Sequence, residues 1–492
     1  MRGTRVARRR IVITATLAAL ACVFGTFQLA SARATHPPDL TGSWHGKLVL
    51  PQGELRIVFH LSRKDSGYTA TLDSPDQDAT GIPVSAVTVK GDTIRLDVDA
   101  AGGVYDGVVQ QGGQKIAGKW SQGGSSLPLE LTRSAEAPAP QRRPQEPTGA
   151  LPYSEEEVRY DNPAAAGVRL AGTLTLPRTP GRHAAALLIT GSGPQNRNEE
   201  LLGHKPFLVL ADYLTRRGIA VLRVDDRGVA ASTGDFAKAT SLDFASDAKA
   251  GIAYLKSRPE INPAAIGLIG HSEGGLIAPI VATESNDVAW IVMMAGPGIP
   301  GDSILYLQGE LIARASGSSE AAIRQSRDVQ RKAFAALREA ATDSVASARV
   351  REVLTAAFAA MGEADRKTMG LPPGGDSQII EQQTRMFVSP WFRFFLSHDP
   401  YPTIARVKVP VLAINGSLDL QVPAEANLSA IRRALETGGN RRHAVRELPG
   451  LNHLFQTAKT GGPAEYAQIE ETMSPAALQL VSAWITETVQ RR

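Results

Sequence analysis

Cysteine is all but missing: Cys22 is the only one among 492 residues. The chain cannot form an internal disulfide, and once the segment that carries Cys22 is removed, thiol catalysis and cysteine-ligated zinc are excluded as well. Internal repeats are absent, which argues against a solenoid or propeller. A surplus of charge is also lacking once the start of the chain is set aside. Residues 1–34 hold six Arg and no acid, and without them the net charge goes from +4 to −2. The formal pI of 9.1 therefore gives no ground for a nucleic-acid or anionic-lipid partner. What remains is ordinary, with 43% hydrophobic and 21% charged residues. That composition fits a soluble chain of more than one domain rather than a disordered or polytopic membrane protein.

The first 34 residues have a signal-peptide layout: an arginine-rich start at Arg2, Arg5 and Arg8-Arg9-Arg10, an apolar run over 11–30, and Ala32-Arg33-Ala34 as a cleavage site. The expectation is export, to the periplasm or the medium, with a mature chain beginning near Thr35 and no membrane partner after cleavage. Retention of the run as an anchor is the alternative, since its length approaches that of a spanning helix. Cys22 is not expected to carry a lipid, because Val23, Phe24 and Phe27 continue the apolar run past it.

Three further regions follow. Over 35–133, short apolar-alternating runs at 54–61, 68–72, 86–89, 93–98, 116–120 and 127–131 are separated by turn signals such as Lys90-Gly91-Asp92-Thr93. They predict a small antiparallel barrel or sandwich. Gly42-Ser43-Trp44 resembles the opening of lipocalin-like barrels, and a Trp plugging the barrel end accounts for it without a ligand. Residues 134–150, with Pro138, Pro140, Pro144 and Pro147, read as an extended linker. From 151 to 492, apolar runs at 184–189, 220–224, 265–269, 288–294 and 411–414 alternate with helical patterns, which predicts a parallel sheet covered on both faces. Over about 302–398 the strands stop and helical periodicity takes over, broken at Pro372-Pro373-Gly374-Gly375. This stretch is expected to be a helical cap.

Gly270-His271-Ser272-Glu273-Gly274 has a strand pattern before it and a helix pattern after it, the setting of a nucleophile elbow. Ala230-Ala231-Ser232-Thr233-Gly234 looks similar, but no strand leads into it, so Ser232 is expected to be a loop residue. A serine hydroxyl needs a neighbouring base, and the base needs an orienting acid. Asp419 follows the strand at 411–414, and His453 lies in a turn before the last helix, in preference to His271, His398 or His443. The order Ser, Asp, His is the one found in α/β-hydrolases. An acyl-transfer intermediate also needs two backbone donors. Glu273 supplies one. Ser192 in Thr190-Gly191-Ser192-Gly193-Pro194 supplies the other, with Gly193 as the alternative; the loop does not have the glycine spacing of a dinucleotide site.

These motifs, with Val224-Asp225-Asp226-Arg227-Gly228, Ala295-Gly296-Pro297-Gly298, Asp419-Leu420-Gln421-Val422-Pro423 and Asn452-His453, resemble the serine-aminopeptidase-like branch of the α/β-hydrolases, in particular its bacterial carboxylesterases. The resemblance covers roughly residues 151–492. It implies an α/β-hydrolase fold, the triad Ser272, Asp419 and His453, no metal or other cofactor, a structural role for the Asp-x-Arg-Gly turn, and hydrolysis of an acyl bond, without settling the substrate; a small-molecule ester is the one expected. The same branch includes aminopeptidases, which hold the substrate amine with a carboxylate; Glu310, Glu339 and Glu381 in the cap are available for that. A non-catalytic binding protein on the same fold is the remaining alternative, and the complete triad argues against it.

Overall fold

The computed structural model describes residues 39–50, 53–64, 67–75, 79–122, 125–134, 142–362 and 376–491. The signal segment, Cys22 and the Pro-Pro-Gly-Gly break lie outside them, as do residues 135–141 of the expected linker. The chain divides into two compact units, one of residues up to Arg142 with Arg351–Gln383, the other of Arg143–Val350 with Thr384–Arg492.

In the first unit nine strands form one antiparallel sheet: β1 (Gly42–Leu50), β2 (Gly53–Lys64), β3 (Gly67–Ser74), β4 (Ala79–Pro83), β5 (Ala86–Lys90), β6 (Thr93–Val98), β7 (Gly103–Gln110), β8 (Lys115–Gln122) and β9 (Ser125–Arg133). Each pairs with its neighbour in the chain except β4 with β5, and β1 also pairs with β9, so β4 and β5 become the two ends of the strand order. Only Val84 and Ser85 separate those ends, and Val84 N–H donates to Ala70 O of β3. The alternation read in β6 is present, with Ile94, Leu96 and Val98 buried. The nine strands make one half-barrel sheet, not two packed sheets, around a core of Trp44, Phe59, Tyr105 and Trp120. Trp44 is fully buried, its Nε1–H donates to Leu40 O at 2.8 Å, and the Arg133 guanidinium lies 5.8 Å from the ring centroid.

The second unit is built on eight strands: β10 (Tyr153–Asp161), β11 (Arg169–Pro177), β12 (His183–Ile189), β13 (Ala220–Val224), β14 (Ile261–His271), β15 (Trp290–Met294), β16 (Val411–Gly416) and β17 (His443–Leu448). Their spatial order is β10-β11-β13-β12-β14-β15-β16-β17. The first two pairings are antiparallel, β10 with β11 and β11 with β13. All others are parallel. The parallel strands are apolar on both faces because helices cover both, which leaves two cores, one on each side of the sheet. The chain runs from β12 outward to β13 and then back across to β14, so the loops after β12 and β14 open a crevice at the C-terminal edge of the sheet.

Between β15 and β16 the described chain is helical, with Gly301–Ala315, Glu320–Glu339, Asp343–Ala359, Asp376–Phe387, Pro390–Ser397 and Tyr401–Arg406. Part of the expected linker is not free. Arg143 donates to the carbonyls of Leu202, Gly203, Ala467 and Ile469 at 3.0–3.1 Å. Gln145 Oε1 accepts from the N–H groups of Thr472 and Met473, and Glu146 pairs with Lys205. Proline content alone suggested an extended tether, but these polar side chains bind the stretch from Arg143 onward to the second unit.

Candidate active site

Ser272 stands between β14 and helix α1 (Glu273–Glu284), with φ 51° and ψ −116°. A non-glycine residue with this backbone is strained by about 1–3 kcal/mol. The glycines around it make the turn possible. A Cβ on Gly270 would fall 1.9 Å from Gly274 O, and one on Gly274 would fall 2.1 Å from Ile189 O. Ser272 N–H is tied to Met294 O at 2.8 Å, and its side chain, at the N-terminal end of α1, is half-buried.

Asp419 and His453, 34 residues apart in sequence, are brought together: His453 Nδ1 lies 2.8 Å from Asp419 Oδ2, and both side chains are buried. The other carboxylate oxygen, Oδ1, accepts from the N–H groups of Gln421 and Val422 at 2.8 Å each, so the acid is fixed before it meets the ring. The histidine loop is held by Asn452, whose Oδ1 accepts from the N–H groups of Leu454 and Gln456. Gly416, at the end of β16, has no room for a side chain, since a Cβ would sit 2.1 Å from Leu451 O. Ser272, Asp419 and His453 thus all stand at the C-terminal edge of the parallel strands. No hydrogen bond joins the Ser272 hydroxyl to His453 among the described residues. That bond is commonly long without substrate and tightens when substrate binds.

The loop after β12 runs beside the elbow. A Cβ on Gly191 would lie 3.3 Å from Ser272 Cβ. Among the described residues no acceptor takes the Ser192 N–H, and Ser192 is exposed. Gly193 has φ 97°. Buried acids pin the rest of the loop. Asp226 Oδ1 accepts from the Thr190 hydroxyl at 2.7 Å and its Oδ2 from Gln195 N–H at 2.9 Å. Burial pushes the Asp226 carboxyl up to about 8, although both hydrogen bonds oppose this. Asp225 forms a two-point ion pair with Arg197. Arg227 turns the other way, onto Asp243 and Asp247, so the Asp-x-Arg-Gly turn has the structural role expected of it.

Glu273 offers its N–H at the first turn of α1, where main-chain donors have no partner within the helix. Its side chain is buried and accepts from the Ser241 hydroxyl at 2.6 Å; burial pushes this carboxyl up to about 7, with Ser241 working against the shift. Ser232 is a loop residue, as expected: its hydroxyl donates to Asp225 O and accepts from Ala171 N–H. His443 is occupied with Asn440 O, and His398 is in the helical segment, stacked on Phe394.

Sequence reasoning missed the role of His271. Its Nδ1 lies 2.9 Å from Glu199 Oε1 and its Nε2 lies 2.9 Å from His453 O, with the two histidine rings 4.9 Å apart between centroids. Glu199 had no signal in the sequence, because its partner is 72 residues away.

The model of the X-Pro dipeptidyl-peptidase (S15) family matches residues 166–442, a range that includes Ser272 and Asp419 and ends before His453. The esterase EstD of Thermotoga maritima is 30% identical over 144 residues, 28% of this chain and 34% of that protein. The match thus spans about a third of the length of this curated relative. Among solved structures, the Pyrococcus furiosus esterase Pf2001 is similar over 71% of this chain and 97% of its own, at 16% identity and a TM-score of 0.41. The α/β-hydrolase GrgF from a Penicillium species is similar over 61% and 91%, at 15% identity and a TM-score of 0.37.

Proposed function

The chain belongs to the X-Pro dipeptidyl-peptidase (S15) family of α/β-hydrolase-like proteins, and from that premise we propose that it is a serine hydrolase that cleaves small acyl esters. The observation that carries this reading is the buried His453–Asp419 pair, on the same sheet edge as a serine held at a strained elbow. In the proposed acylation the Ser272 oxygen attacks the ester carbonyl while its proton passes to His453 Nε2. The carbonyl π pair moves onto the oxygen, where the N–H groups of Glu273 and Ser192 hold it. Collapse of the tetrahedral adduct expels the alcohol, which takes the proton back from His453, and water then releases the acid by the same steps. Asp419 holds the ring in the tautomer that keeps Nε2 free to accept. No step calls on a cofactor.

The family's description favours a second reading, cleavage of peptides or aminoacyl amides. Such a substrate brings an ammonium group that needs an unspent carboxylate. Of the acids in the helical segment, Glu310 is engaged by Arg314 and Arg327, Glu381 by Arg351, and Glu339 is exposed. This favours the ester, as does the name of the Thermotoga relative. A panel of short and long p-nitrophenyl esters beside aminoacyl p-nitroanilides tests the choice: esters are expected to be the better substrates by kcat/KM, and preference for the anilides would move the protein to the second reading.

The arginine-rich start and Ala32-Arg33-Ala34 support export, with the mature chain beginning near Thr35. N-terminal sequencing of the exported protein tests this, and a chain beginning at Met1 contradicts it.

A further inference from the structure

Glu199 lies in the loop after β12 with φ 52°, and it is only 4% exposed. A residue other than glycine persists in that backbone region only where its surroundings hold it. What holds it is a single carboxylate oxygen with two partners. Glu199 Oε1 accepts from Gly191 N–H at 2.7 Å and lies 2.9 Å from His271 Nδ1. His271 Nε2 in turn lies 2.9 Å from the main-chain carbonyl of His453. A carbonyl only accepts, so Nε2 must carry a hydrogen, and a second proton lies between Nδ1 and the carboxylate. The path from Gly191 through Glu199 and His271 to His453 joins three stretches distant in the chain, each of which borders Ser272. Neither side chain takes part in the acylation described above. A buried carboxylate–imidazole pair is also weak as a stabilising device, because desolvation offsets most of its attraction.

We propose that Glu199 is a positioning residue of the Ser272 site: through Gly191 it sets the loop that offers the Ser192 amide, and through His271 it sets the main chain of His453, so that oxyanion donor and base converge on the serine. This rests on the reading of Ser272 as nucleophile. The charge state supports the geometry. Burial works against a proton on His271, but the Glu199 carboxylate, the His453 carbonyl and the Asp419 charge together overcome it and raise the ring above its ordinary value. The imidazolium form can donate from both nitrogens at once. Glutamine at position 199 keeps an acceptor for Gly191 but brings no charge to pair with the ring, so it fills part of the role and alanine fills none.

The test is a set of kinetic and labelling measurements on the full chain. Glu199→Ala is expected to lower kcat for a p-nitrophenyl ester by roughly a hundredfold with KM within about threefold, the pattern of misplaced catalytic groups. Glu199→Gln is expected to recover at least about fivefold of that loss, and covalent labelling of Ser272 by a fluorophosphonate is expected to slow in step with kcat. His271→Asn combined with each Glu199 variant is expected to be no slower than the slower single variant, because both changes break one link. Thermal melting identifies which variants are folded; should Glu199→Ala not fold, Glu199→Gln, His271→Asn and their double carry the same cycle. Losses that multiply, folded Glu199 variants with kcat within about threefold of the parent, or an effect on KM alone would overturn the proposal. Ser272→Ala is run alongside. If it remains active, the nucleophile reading itself falls; if it is inactive while the Glu199 variants run normally, only the positioning role falls.

Discussion

At the scale of single residues, the account makes the three site residues one unit. Ser272→Ala and His453→Ala are each expected to lower kcat by about 10⁴-fold or more, and a variant with all three replaced is expected to be little slower than Ser272→Ala alone. Asp419→Asn preserves shape but releases the tautomer that Asp419 Oδ2 selects, so it is expected to cost about 10⁴-fold without a fall in melting temperature of similar weight. Losses that add in free energy across the three would contradict a shared mechanism. Glu273 makes a prediction about stability instead. Its folded-state carboxyl is pushed up to about 7 by burial, from an ordinary value of 4.5, so the folded chain keeps a proton there that the unfolded chain has released. Its contribution to stability is therefore present at low pH and declines as pH rises from about 4.5 through 7. Glu273→Gln, which mimics the protonated form, is expected to match the parent's melting temperature near pH 5 and exceed it near pH 8; a difference that does not grow with pH would contradict the assignment. The places of Ser272, Asp419 and His453 at the sheet edge were legible in the sequence because each sits in a local pattern, an elbow or a loop just after a strand. Glu199 and His271 were not, since a contact across 72 residues leaves no periodic trace.

At the scale of elements, continuous apolar runs marked β12 to β16 clearly, because strands buried on both faces tolerate little else. The two antiparallel strands β10 and β11 escaped notice. β10 reads Glu155-Glu156-Glu157 through its centre, and only Tyr153, Val158 and Tyr160 are buried. In the first unit, β1 and β7 were hidden by their glycines, which weaken a strand signal. Those glycines make room for the core: a Cβ on Gly103 would meet the Trp120 ring at 2.1 Å, and one on Gly107 would meet Ile116 and Tyr105 within 2.9 Å. The segment read as a linker shows the opposite error, since composition hid its anchors. Arg143 donates to four main-chain carbonyls from two loops of the second unit. Arg143→Ala is expected to lower the unfolding free energy by about 2 kcal/mol, the weight of lost charge-assisted hydrogen bonds, as read from urea melts. An unchanged midpoint would mean that these contacts are not maintained in solution.

At the scale of the whole molecule, each unit has its own apolar core, and every residue given a chemical role lies in the second. A chain that starts at Arg142 keeps the whole second unit, together with Arg351–Gln383 of the first, and is expected to unfold cooperatively and to turn over a small soluble ester within about tenfold of the full chain, a barrier difference of about 1.4 kcal/mol. A chain that starts at Leu151 gives up Arg143 and Gln145 and is expected to melt lower. Aggregation of the longer fragment, or a much larger loss from a folded sample, would assign the barrel a part in catalysis. The central claim, that Ser272 forms a covalent acyl-enzyme, is tested most directly by mixing the protein with p-nitrophenyl acetate, quenching in acid during the first turnover, and mapping the modified peptide by mass spectrometry. The account predicts a burst of p-nitrophenol close to one equivalent per active chain, matched by one acetyl group on Ser272 and none in Ser272→Ala. A burst that persists in Ser272→Ala, or an acetyl group on another residue, would contradict it.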